Sequence, residues 1–137
     1  MLHLLGTGLF GSIGQWTKYL DVAYPGAKPA DWDARLDQLR GMLREPGRMA
    51  ALKKMGTTGA ADAGAALPDV RCPVLVVQGT LDPDWADPRA EGDAIVAALP
   101  AGLGRLEMID GAGHYPHVQY PAQVTTAILT FLETADA

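Results

Sequence analysis

The apolar positions of this chain change their spacing partway along. Ile13, Trp16, Leu20 and Ala23 recur at helical intervals, and Tyr24-Pro25-Gly26 predicts the turn that ends that helix. Trp32, Leu36, Leu39 and Leu43 make a second stripe. It opens at Asp31 and Asp33, where a helix N-terminus favours negative charge, and closes at Pro46-Gly47. A third helical piece carries Met49, Leu52 and Met55 on one side and turns Lys53 and Lys54 to solvent. The stretch 56–66 is nearly all Gly, Ala and Thr, too small to pack, and predicts a connector with one short helical turn near Leu67. No strand is expected this far.

The texture then shifts. Pro73-Val74-Leu75-Val76-Val77-Gln78-Gly79 is a continuous β-branched run, the pattern of a parallel strand covered on both faces. Asp87-Pro88 supplies an N-cap and a proline for the first helical position, and Ala94, Ile95, Ala98 and Leu99 carry that helix to Pro100. Leu106, Met108 and Ile109 mark a second strand over 105–109. Pro121 opens a closing helix striped by Val124, Ala127, Ile128 and Phe131. Strand, helix, strand, helix is the order of an α/β sheet with parallel strands and flanking helices. Two strands make a marginal sheet, so further strands are expected beside them, and nothing upstream of Val74 supplies any. The helical first part and the strand-bearing second part together therefore read as the later half of a larger α/β domain.

Composition narrows the function classes. The chain has 137 residues, 48% apolar and 20% charged, the balance of a globular domain able to bury a core. Its net charge of -5 comes from 16 acids against 11 bases with no basic cluster, so nucleic acid is not expected as a partner. The start, Met1 to Leu5, is apolar, but it has no basic flank and is followed by Gly6, Gly8, Gly11 and Gly14. Neither a signal peptide nor a membrane span is expected there, and no membrane partner. The single cysteine, Cys72, sits at the mouth of an apolar strand. It is expected to be a small buried side chain in a reducing cytoplasm.

Chemistry gathers just past the two strands. Asp82 follows the first strand in Gly79-Thr80-Leu81-Asp82, and His114 follows the second in Gly111-Ala112-Gly113-His114. In open α/β sheets, functional groups collect beyond the carboxyl ends of the strands. A carboxylate there accepts a hydrogen bond from one imidazole nitrogen, fixes the tautomer and leaves the other nitrogen as a base. With an ordinary pKa of about 6.5, histidine suits proton transfer near neutrality. Gly111 and Gly113 are expected to let a tight turn carry His114 over the sheet edge.

The run from Pro73 to Pro83, the segment Gly111-Ala112-Gly113-His114-Tyr115-Pro116 and the closing amphipathic helix together resemble the acid and histidine segments of the α/β-hydrolase superfamily. The family order is nucleophile, acid, histidine. The resemblance implies that Asp82 is the triad acid and His114 the triad base. The helical piece with Trp16, Tyr24-Pro25-Gly26 and Pro29 to Trp32 resembles the lid or cap inserted before the acid strand. This gives two parts: 1–66, a helical cap-like segment and connector, and 67–137, the C-terminal portion of an α/β-hydrolase core with two strands and two main helices. The family's G-x-S-x-G elbow and oxyanion-hole loop are not in this sequence. Ser12 is the only serine, and Phe10 stands where the elbow's first glycine belongs.

The function implied is a partial hydrolase of ester or related acyl substrates, supplying acid and histidine and inactive alone. The alternative is a non-catalytic truncated fragment or interaction module. An unfinished sheet would expose a strand edge open to self-association or to pairing with another chain. Dehalogenases and epoxide hydrolases of the superfamily would differ only upstream. The partner expected of a completed site is a small acyl substrate, with no cofactor. Asp84 rivals Asp82 but lies further from the strand end, Asp87 is better used as a helix cap, and Asp110 reads as a turn residue. His114 and His117, three apart, suggest a metal with Asp82 or Asp84, but Pro116 between them breaks the ligand pattern and no metal is expected. His3 carries no signal, and Trp85 is read first as packing under a surface loop, second as lining a substrate pocket.

Overall fold

The computed structural model describes residues 11–56 and 58–135 of the chain. The apolar start, His3 and Phe10 lie outside the described residues.

Helix α1 (Ile13–Ala23) begins where Ser12, in extended backbone, accepts a hydrogen bond from the Gln15 N–H at 3.2 Å. That is a helix cap, and it gives the lone serine a structural use. Tyr19, Leu20 and Ala23 on α1 bury against Leu36 of α2 (Trp32–Arg44), with Trp16, Tyr24, Trp32 and Leu39 packed around them. Tyr115, from the other end of the chain, joins this cluster, its ring stacked on Tyr24 with centroids 4.9 Å apart.

Helices α3 (Arg48–Met55) and α4 (Ala61–Ala66) bury no residue. Met55, expected on an inward side, is 65% exposed. The connector holds more helix than its composition predicts: α4 has six residues and runs into a 3-10 turn over Leu67–Asp69. Alanine favours helix even where nothing packs against it.

Strand β1 (Val74–Gly79) and strand β2 (Gly104–Ile109) pair in parallel, with Val74 opposite Gly104 and Gly79 opposite Ile109. Between them runs α5 (Pro88–Ala98), whose N-cap Asp87 accepts from the Ala90 N–H at 3.0 Å, as its Asp-Pro start predicts. Gly92 lets α5 approach the sheet, since a Cβ there would overlap the Leu106 side chain. After β2 come the short α6 (Pro116–Gln119) and the closing α7 (Pro121–Ala135). Ile109, Ala112 and Val124 form a second buried cluster with Val77 and Tyr120 packed on it.

Three expectations are corrected here. In β1 only Gly79 is buried, while Val74 to Gln78 remain half-buried, because among the described residues the sheet has two strands and each lacks a neighbour on one side. Cys72 is exposed, since the strand begins two residues later at Val74. The α7 stripe is narrower than its sequence suggests: Val124 and Ala127 are buried, but Ile128 is 42% exposed. No helix among the described residues is long and apolar enough to cross a membrane.

Candidate active site

The turns after the two strands are stitched into one another. The Thr80 N–H donates to the Ile109 carbonyl at 3.1 Å and the Leu81 N–H to the Ala112 carbonyl at 2.8 Å. The Thr80 hydroxyl donates to Asp110 at 3.2 Å and accepts from the Gly111 N–H at 2.9 Å, which gives Asp110 the turn role its sequence suggests. Gly111 has φ +75°, a left-handed turn that glycine adopts without strain. Gly79 and Gly113 are needed for a different reason. A Cβ on Gly79 would overlap the Gly113 and Ala112 carbonyls, and one on Gly113 would overlap the Ala23 carbonyl and Pro25.

This close approach fixes His114. Its backbone N–H donates to the Ala23 carbonyl at the end of α1, 2.9 Å away. Gln119 clamps the same junction: its Oε1 accepts from the Gly113 N–H at 2.7 Å, and its Nε2 donates to the Pro25 and Ala27 carbonyls, each at 2.8 Å. The imidazole then lies over Asp82, with Nδ1 3.0 Å from Oδ2 and 3.2 Å from Oδ1. Asp82 is 5% exposed and otherwise satisfied, Oδ2 accepting from Gln78 Nε2 at 2.9 Å and Oδ1 from the Asp84 N–H at 3.0 Å. The two sequence-predicted site residues are therefore in direct contact.

The electrostatics follow from these contacts. Burial is the largest influence on the Asp82 carboxyl and acts to raise its pKa. The hydrogen bonds from His114, the Asp84 N–H and Gln78, together with the imidazolium charge, outweigh it and leave the group below the usual carboxylate range. For His114 the hydrogen bond to Asp82 leads, opposed by burial and helped by the charges of Asp82 and Asp84, and its pKa is raised. Burial likewise pushes the Tyr115 hydroxyl up, and its ring meets the imidazole edge-on at 4.9 Å.

Two residues outside the expected pair reach the same place. Asp84 Oδ2 stands 3.4 Å from His114 Nδ1, and the Tyr19 hydroxyl of α1 donates to both Asp84 oxygens at 3.0 and 3.1 Å. Burial and then the Asp84 charge push the Tyr19 hydroxyl far above its ordinary range, so it stays a donor. Tyr19 and Gln119 are not legible from spacing alone. Gln78 has a signal: a polar residue at the end of an apolar strand, four before the acid. Asp82, Asp84 and His114 each offer one ligand atom within 4.8 Å of the others, the separation of a metal-binding set. His117 is exposed on α6 and takes no part in that group. Nδ1 is held by Asp82, so the trio is accounted for by hydrogen bonding. Trp85 is half-buried beside the acid turn.

Comparison with known proteins gives a consistent picture. The solved structure of a 2-hydroxy-6-oxo-6-phenylhexa-2,4-dienoate hydrolase from Rhodococcus sp. superposes with TM-score 0.74 at 13% identity, over 95% of this chain and 47% of that one. A thermophilic esterase from Thermogutta terrifontis superposes with TM-score 0.65 at 22% identity, over 97% of this chain and 48% of that one. In sequence, the polyketide synthase ThaQ of Burkholderia thailandensis is 32% identical over 123 residues, which is 88% of this chain and 6% of the synthase. The chain thus spans about half the length of these solved structures and a small part of the synthase. The model of the alpha/beta hydrolase family matches residues 2–127, and the chain belongs to that family.

Proposed function

We propose that this chain supplies the acid and the base of a hydrolase acting on an ester or related acyl substrate, with Asp82 as the acid and His114 as the base. The observation that carries this is the 3.0 Å contact between His114 Nδ1 and the nearly buried Asp82 carboxylate at the carboxyl end of the sheet. With Nδ1 held, Nε2 is the nitrogen that takes the proton from an attacking hydroxyl and returns it to the leaving group, while Asp82 stabilises the imidazolium between those steps. In this reading residues 67–137 are the core portion, and α1 and α2, within 1–66, form a wall of the site. The free, exposed Cys72 suits a reducing cytoplasm.

The nucleophile belongs outside these 137 residues, because Ser12, the only serine, is used as the α1 cap and no G-x-S-x-G is in the sequence. The chain alone is then expected to give no turnover of an activated ester such as p-nitrophenyl acetate above background. Robust turnover abolished by Ser12→Ala would overturn that assignment. A second reading, a non-catalytic module that pairs through β1, is favoured by the half-buried apolar strand, which among the described residues has a neighbour on one side alone. Size-exclusion chromatography separates them: self-association abolished by a proline in β1 favours the module, and a stable monomer counts against it.

A further inference from the structure

Two carboxylates converge on a single imidazole N–H. Asp82 accepts it at 3.0 Å from Oδ2, and Asp84 holds Oδ2 only slightly further, at 3.4 Å. Two anions so close repel unless donors are spread between them, and the donors are present. The Asp84 N–H donates to Asp82 Oδ1 at 3.0 Å, and the Tyr19 hydroxyl, reaching in from α1, donates to both Asp84 oxygens. Tyr19 is buried, 9% exposed, and its ring stacks on Trp16 with centroids 5.1 Å apart, so its hydroxyl has little freedom to point elsewhere.

We propose that Asp84 is a second carboxylate partner of the His114 ring and that Tyr19 and Asp84 are positioning residues, tying α1 to the imidazole. This rests on the reading of Asp82 and His114 as acid and base. Asp84 adds its charge to that of Asp82 in stabilising the imidazolium, and Tyr19 holds it back from displacing Asp82. If Asp82 is removed, Asp84 is near enough to accept the Nδ1 proton in its place. Among the described residues, the other titratable group facing the ring is Tyr115, in edge contact, which stays neutral over the relevant pH range.

The test is an NMR titration of the His114 ring in the intact chain. The variants are Asp84→Asn, Asp82→Asn, the Asp82→Asn/Asp84→Asn double and Tyr19→Phe, each close to isosteric. The midpoint is expected to shift down in Asp84→Asn, further down in Asp82→Asn and lowest in the double. In Tyr19→Phe it is expected to shift up, because Asp84 loses its competing donor, and that rise is expected to vanish when Asp84→Asn is added. A merely structural Tyr19 would not produce a rise that depends on Asp84. If Asp84→Asn matches the parent and the double matches Asp82→Asn, the proposal fails while the acid and base reading stands. If both Asp82→Asn and the Asp82→Asn/Asp84→Asn double leave the midpoint unmoved, that reading fails first. Should Asp82→Asn not fold, the Asp84→Asn and Tyr19→Phe shifts decide the matter alone.

Discussion

Helices α1 and α2 behave unlike α3 and α4, although all four precede β1 in the chain. The first pair buries Tyr19, Leu20, Ala23 and Leu36, and its end is bound to the histidine turn by the Ala23, Pro25 and Ala27 carbonyls. The second pair buries no residue. The difference is not one of helix propensity, since the Ala-rich α4 forms without any packing. What separates them is contact with the site: among the described residues, the first pair is tied to the histidine turn by close backbone approach at Ala23 and by the aromatic cluster that Tyr115 joins.

That contrast is open to direct attack. Gly113→Ala pushes a Cβ into the Ala23 carbonyl and Pro25, where backbone has to move, and is expected to cost about 3 kcal/mol or more in urea unfolding. If it is harmless, the junction with α1 is loose and the contrast fails. Gln119→Ala strips partners from three backbone groups and is expected to cost about 1–3 kcal/mol, with the His114 resonance changing environment. The smallest effect belongs to the unanchored side. Gly64 lies inside α4 with open space around its Cβ position, so Gly64→Ala is expected to stabilise by about 0.5–1 kcal/mol and to leave His114 unchanged. A destabilising Gly64→Ala would mean that α4 packs more closely than it does here.

How much of this was legible beforehand varies with the kind of signal. The α1, α2 and α7 helices and both strands follow from apolar spacing and punctuation, because 3.6-residue and continuous patterns survive without knowledge of neighbours. Asp87 and Pro88 announced the α5 start for the same local reason. The Asp82 and His114 pair was legible because each closes a strand, and parallel pairing brings such residues together at one edge. The misjudged features all depend on what lies next to them. β1 looks like a doubly covered strand, yet burial is set by neighbours that its own residues do not specify. Cys72, at the mouth of that strand, is expected to be buried, yet it is exposed because the strand's cover does not reach back to it. Tyr19 and Gln119 act through contacts 65 and 94 residues distant in sequence, and no local pattern encodes those.

The central claim is that Asp82 and His114 form a working acid and base pair, and the pH titration of the His114 ring in the intact chain tests it most directly. The hydrogen bond to Asp82, opposed by burial, raises the His114 pKa, so its midpoint is expected above the ordinary value of about 6.5 and should fall in Asp82→Asn. Stability carries the same signs. The His114 share is full below about pH 6.5 and is lost as pH rises through the raised midpoint. The Asp82 share is present above its ordinary value of about 3.9 and is lost as pH falls through its lowered one. A His114 midpoint at the ordinary value, unmoved by Asp82→Asn, would contradict the account.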